Sequence, residues 1–167
     1  MITTTEKTGN DNPRRYTMGT MYERKMTPAT EHEYLVGAPA YLSGSTIYPV
    51  SAKDWQNTSS ISTYLLTVSA VMAAFAGIVQ EPSFSGSTDD IRVDGNCVCE
   101  YNVDAAIGAA LAATTHVNPS YTDGSALKNQ VWDEDKNTLT DCPWSLFKKA
   151  TTSDTTIYVH CKSPLIP

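Results

Sequence analysis

Apolar positions along this chain come in short runs separated by turn residues, and the pattern changes once, near residue 33. Before that point aliphatic residues are nearly missing, Thr and Asn are frequent, and Pro13 and Pro28 interrupt the segment. Residues 1–33 therefore read as an extended N-terminal arm, too poor in aliphatic side chains to make its own core. Interleaved in it are Tyr16, Met18, Met21, Tyr22 and Met26, which can bury large area against a neighbour. Two readings stand side by side: an arm that orders on contact, and a solvated terminus with no role.

From residue 34 to 167 the spacing of apolar runs is that of all-β sandwiches and barrels. Tyr34-Leu-Val36 and Thr46-Ile-Tyr-Pro-Val50 predict strands, with Gly37, Pro39, Gly44 and Pro49 marking turns or an edge position. Leu66, Val68, Ala70 and Met72 alternate with small or polar neighbours, predicting a buried strand, and Phe75-Ala-Gly-Ile-Val79 a second. Glu81 to Asp90 is a loop by composition. Ile91-Arg-Val-Asp94 and Cys97 to Val103 read as strands around Gly95-Asn96, a hairpin turn or a bulge. Asp104 predicts a cap for a helical turn reaching Gly108, followed by a strand to Thr115; an Ala-rich helix is the competing reading. Gln130-Val-Trp132, Trp144 to Lys149 and Thr155 to Lys162 complete the set, with Phe147, Ile157 and Val159 as core candidates. The predicted class is mainly β: a compact β-barrel or β-sandwich domain behind an extended arm.

A length of 167 residues supports one domain with a tail, and a charged fraction of 18% excludes a coiled coil or long-helix protein. The formal charge is −6 and the pI about 4.9, which argues against a nucleic-acid partner. In the arm five basic and five acidic residues cancel, so the whole excess lies after residue 33. No charge falls between Trp55 and Gln80, and Ile61 to Val79 has the length of a membrane span. Ser62, Thr63, Thr67 and Ser69, and flanks without positive bias, favour buried protein segments and no membrane. The first residues lack the basic and apolar regions of a secretory signal, predicting retention where the chain is made.

Candidate chemistry is sparse. Cys97 and Cys99 share one face if their segment is a strand, with Cys142 and Cys161 elsewhere. Zinc is disfavoured, because Cys-x-Cys is not a zinc-knuckle spacing and His160 and Cys161 point to opposite faces; reduced buried thiols are expected. Asp89-Asp90 and Asp133-Glu-Asp135 lack the glycine-punctuated spacing of a calcium loop. No cofactor or metal is predicted. Nucleophile-elbow, phosphate-loop and His-Glu-x2-His motifs are missing, and the three histidines are far apart, so no enzyme is predicted. Ser43, Ser45 and Thr46 around Gly44, with Tyr41 and Tyr48, offer a sugar-binding face for which Trp55, Trp132 and Trp144 would be stacking platforms; packing in a core is the stronger expectation for those tryptophans.

The order Phe75-Ala-Gly-Ile-Val-Gln-Glu-Pro82, Ser87-Thr-Asp-Asp-Ile-Arg-Val93, then Gly95 and Cys99-Glu-Tyr101, resembles the small β-rich head decoration (cement) proteins of tailed bacteriophages. Asn129-Gln-Val-Trp132 and Thr155 to His160 fit the same plan, while Cys-Val-Cys and the long arm depart from it. The resemblance implies a structural virion protein, made in the host cytoplasm, on the outer capsid surface. It would bind the major capsid protein, stiffen the shell against DNA pressure and associate with copies of itself as a dimer or trimer. On that reading Arg14, Arg15, Tyr16, Tyr22 and Arg24 are the expected partner contacts, since Arg and Tyr dominate interface anchors. A tail or neck subunit and a carbohydrate-binding β domain are the alternatives.

Overall fold

The computed structural model describes residues 15–16, 22–53, 61–102, 116–121, 127–134, 142–148, 151 and 156–166. The fold is mainly β and contains a closed five-stranded barrel, as the hydrophobic spacing predicts. A two-residue strand, β1 (Arg15–Tyr16), belongs to a second sheet. The barrel comprises β2 (Glu23–Pro28), β3 (Pro39–Ser43), β4 (Thr46–Pro49), β5 (Phe75–Val79) and β6 (Ile91–Asp94), in the order β2-β4-β3-β5-β6. All its pairings are antiparallel except β2 with β4, which closes the ring through Thr27 opposite Thr46 and Pro28 opposite Ile47.

Three sequence expectations are corrected in and around the barrel. Residues 23–28 are a barrel strand, so the arm does not extend to residue 33. The segment manages with few apolar residues because Arg24, Lys25 and Thr27 face water while Met26 packs on the barrel core. The rest of the arm, 1–14 and 17–21, lies outside the described residues. Pro39, read as marking a turn or an edge position, is the first residue of β3, where a strand tolerates a missing N–H. Tyr34 makes only a bridge to Ser83.

The expected strand around Leu66 to Met72 is instead part of a helix, α1 (Ile61–Ala73), ahead of β5. Val68, Val71 and Met72 are buried and Phe75 follows, the i, i+3, i+4, i+7 stripe of a helix, whereas Leu66, Ser69, Ala70 and Ala73 are exposed. Among the described residues no helix is long and apolar enough to cross a membrane.

Strand β5 is buried along its whole length because it lies between two cores. Ala76 and Val79 face the barrel interior with Tyr34, Ala40, Ile47, Ile91 and Val93; Phe75 and Ile78 face the larger cluster beyond it. Strict alternation would put Phe75 and Ile78 on opposite faces. The register instead shifts between Ala40 and Tyr41, so that Ala40 opposes Gly77 and Tyr41 opposes Phe75. Gly77 sits at φ 146°, and a Cβ there would strike the Asp94 carbonyl oxygen.

Beyond the barrel, β7 (Asn96–Asn102), β8 (Val117–Tyr121), β9 (Leu127–Glu134), β10 (Trp144–Leu146) and β11 (Thr156–Lys162) form the rest. The second sheet runs β1-β7-β11-β10, and β8 pairs separately with β9. Its inward face carries Cys97, Cys99, Tyr101, Trp144, Ile157, Val159 and Cys161, joined by Val117, Trp132 and the buried side of α1. An aromatic chain runs through this cluster: Phe75 to Trp144 at 5.1 Å between ring centres, Trp144 to Trp132 at 5.8 Å, and Trp132 to Tyr101 at 5.3 Å. Phe147, expected in the core, is exposed because it lies past the end of β10. The predicted elements between Asp104 and Thr115 fall outside the described residues.

Gly95 is neither a hairpin turn nor a bulge; it is where the chain leaves the barrel for the second sheet, since β6 and β7 do not pair. Its N–H donates to the Tyr22 carbonyl at 3.0 Å and its carbonyl accepts from Ser163 N–H at 2.7 Å. The Ser163 hydroxyl donates to the Phe75 carbonyl at 2.6 Å and accepts from Leu165 N–H at 3.1 Å. Asn96 N–H donates to the Asp94 carboxylate at 3.0 Å, completing the seam.

Candidate interaction surface

The loop between β5 and β6 is short in apolar residues, and its polar groups bond to its own neighbours. Tyr34 and Ser83 exchange backbone hydrogen bonds of 2.8 and 3.0 Å. Gly86 N–H donates to the Thr30 carbonyl at 2.6 Å, and Ser87 N–H to the Phe84 carbonyl at 3.1 Å. Thr27 Oγ1 donates to Asp90 Oδ1 at 2.8 Å, while Glu81 clamps Arg92, accepting from its backbone N–H at 2.7 Å and from its Nε at 3.2 Å. At the tip Phe84 is left 72% exposed. Beside it a cleft of about 570 Å³ is lined by Lys25, Glu81, Ser87, Asp89, Asp90 and the flank of Ile91. A rigidly presented aromatic at a polar rim can anchor a macromolecular contact without ordering cost in the loop.

Tyr34 is the post under this loop. Its buried hydroxyl donates to the Ile47 carbonyl at 2.6 Å and accepts from Ala29 N–H at 2.9 Å, and burial pushes its pKa up to about 12. On the other side of the β3–β4 hairpin, Tyr41 and Tyr48 stack at 5.7 Å, with Lys53 Nζ 5.7 Å above the Tyr41 ring.

Four of the five sequence-derived contact residues fall among the described residues. Arg14 lies outside the described residues. Arg15 and Tyr16 form β1, opposite Cys99 and Val98. Tyr22 and Arg24 come together at the barrel seam, where Arg24 Nη2 donates to the Leu165 carbonyl at 3.3 Å. Phe84 went unremarked in the sequence, its only signal a lone aromatic in a Ser/Gly/Asp loop. The sugar-platform reading loses two members, because Trp132 and Trp144 are buried; Trp55 lies outside the described residues.

The thiols match their expected placement. Cys97 and Cys99 Sγ lie 3.6 Å apart on the inward face, Cys161 is opposite Cys97, and no two of the four cysteines are bonded. A hydrogen bond with the Cys161 thiol, together with burial, raises the Cys97 pKa, and burial raises that of Cys161. His160 points to the other face, Nε2 2.9 Å from Asn96 Oδ1, with its pKa lowered by burial and by Lys162. Among the described residues no group of three or more His, Cys, Asp or Glu side chains is arranged to hold a metal ion. Compared with known proteins, the chain matches no family model, no curated protein and no solved structure.

Proposed function

We propose that this chain is a structural virion protein that binds the outer surface of a phage capsid lattice and stabilises the major capsid protein shell. The observation that carries the reading is Phe84, held out at 72% exposure on a loop clamped at both ends. The quoted segments that resemble decoration proteins fall on β5, the two flanks of this loop, β6, Gly95 and residues 99–101 of β7, so the projecting loop lies inside the stretch that carries the resemblance. A closed barrel offers no free edge for indiscriminate strand pairing, which suits a protein crowded in many copies on a shell. Repetition on a lattice lets a modest contact per copy accumulate.

The test is co-sedimentation with expanded capsid shells that lack the protein, at increasing protein-to-shell ratio. Saturation at a fixed copy number is expected, and Phe84→Ala is expected to weaken binding by about 30-fold, as loss of an anchor does. Absence of saturable shell binding refutes the proposal and moves attention to tail or neck assemblies.

A further inference from the structure

We propose that Cys97 and Cys161 are a redox-closed lock: sustained exposure to a peroxide joins their sulfurs in a disulfide that ties β11 to β7, beside the crossing between the barrel and the second sheet. Both residues are buried and both are free thiols. They lie directly opposite each other in the antiparallel β7–β11 pair, on the inward face that also carries Cys99. Two steps along the same ladder, Ser163 N–H donates to the Gly95 carbonyl at 2.7 Å. Bonded and non-bonded pairs alternate, so Cys97 and Cys161 are a hydrogen-bonded pair, with Cα atoms about 5.5 Å and Cβ atoms about 4.5–5.5 Å apart. A disulfide takes a Cα separation of about 4.4–6.8 Å and a Cβ separation of about 3.5–4.5 Å, so closure asks for an inward shift of about 1 Å.

Cys99 is the rival, its Sγ 3.6 Å from that of Cys97. Two residues along a strand span about 6.4–6.8 Å and their Cβ atoms leave the same face in parallel, so an S–S bond between Cys97 and Cys99 requires β7 to buckle. The half-buried Cys142 thiol donates to the Trp144 and Val117 carbonyls at 3.2 and 3.6 Å. The chemistry converts two thiols and one hydrogen peroxide into one disulfide and two waters. The first sulfur attacks a peroxide oxygen and the O–O bond breaks, giving a sulfenic acid and one water. The second sulfur attacks the sulfenic sulfur and the S–O bond breaks, the oxygen leaving with the second thiol's proton as the other water. Peroxide, small and uncharged, reaches the pair through local opening of the sheet. The hydrogen bond with Cys161 and burial raise the Cys97 pKa, and burial raises that of Cys161, so both thiols stay protonated and react slowly. The pair is thereby reduced until oxidant persists. The lock acts within one chain, whatever the outer surface docks to.

The experiment exposes the folded full-length chain to hydrogen peroxide for hours, blocks the remaining thiols with N-ethylmaleimide in urea and maps the linkages by mass spectrometry. A Cys97–Cys161 crosslink is expected, retained in Cys99→Ala and missing in Cys161→Ala. Should Cys161→Ala fail to fold, the linkage found in the unchanged chain and in Cys99→Ala decides. Because the bond closes a loop of about 60 residues, oxidation is expected to raise the folding equilibrium constant on the order of 100-fold in urea unfolding, and dithiothreitol to reverse the rise. A Cys97–Cys99 bond, a bond through Cys142, a disulfide between two chains, the absence of any disulfide, or no reversible gain in stability each overturns the proposal.

Discussion

Gly77→Ala probes whether the bulge that lets β5 serve two cores depends on a missing side chain. At φ 146° an alanine is strained by about 1–3 kcal/mol. Its Cβ would also meet the Asp94 carbonyl oxygen, with the Asp94 carbonyl carbon at 2.6 Å and Gly95 N at 2.9 Å. These are backbone atoms of the next barrel strand, so no rotamer change relieves the clash, and overpacking adds about 1–3 kcal/mol. The sum, about 2–6 kcal/mol, is a large share of the roughly 5–15 kcal/mol that stabilises a domain. Gly44→Ala is the control: φ is 63° but nothing lies within 4 Å, leaving only the left-handed backbone cost of about 1–2 kcal/mol. Urea unfolding at unchanged m-value measures both, and thermal midpoints are expected to fall by about 2–4 °C per kcal/mol. If Gly77→Ala is no more destabilising than Gly44→Ala, the steric account of the bulge is wrong.

Tyr34→Phe removes the hydroxyl shared by Ile47 and Ala29 and is expected to cost about 1–3 kcal/mol in urea unfolding. Because the folded pKa of Tyr34 is about 12 against an ordinary 10.0, the folded state keeps a proton that the unfolded chain gives up. Stability from this group is therefore complete below pH 10 and falls as pH rises through 12, and titrated unfolding of Tyr34→Phe should lack that part of the decline. Iodoacetamide under native conditions is expected to label half-buried Cys142 first and Cys97, Cys99 and Cys161 only on unfolding, as peptide mapping would show; native labelling of Cys97 contradicts the buried thiol cluster. Phe84→Ala, at an exposed tip, should shift the unfolding free energy by less than about 0.5 kcal/mol while weakening shell binding. A large loss of stability would show that Phe84 packs against its own fold.

What could be read from the sequence was decided by how far each residue's neighbours lay in the chain. Ile91 and Val93, or Ile157, Val159 and Cys161, alternate inward and outward, so β6 and β11 were legible. Leu66 to Met72 alternates too, but Val68, Val71, Met72 and Phe75 also fit a helical stripe, and only packing against the second sheet decides between the two. β2 was hidden because a strand between two barrel neighbours needs little apolar surface of its own, and Met26 supplies it. Gly95 was recognised as a break, while its role as a crossing between sheets depends on Tyr22 and Ser163, far away in sequence. For the candidate surface, the loop was visible and Phe84 was not, because exposure at a loop tip follows from the clamps at Glu81, Thr27 and Tyr34 and not from local composition.

The closure of the barrel between β2 and β4 has a mechanical consequence. Two residue pairs make that seam, and one of the four residues, Pro28, offers no N–H. The Tyr34 hydroxyl and Ala29 N–H both reach the Ile47 carbonyl, pinning the seam from one side. The ring thus resembles a hoop riveted at its one parallel joint, with the fewest residue pairs where β2 meets β4 and where β5 meets β6. The rivet at Tyr34 also holds the root of the Phe84 loop, so opening of the hoop at β2–β4 and the pose of that loop are mechanically coupled.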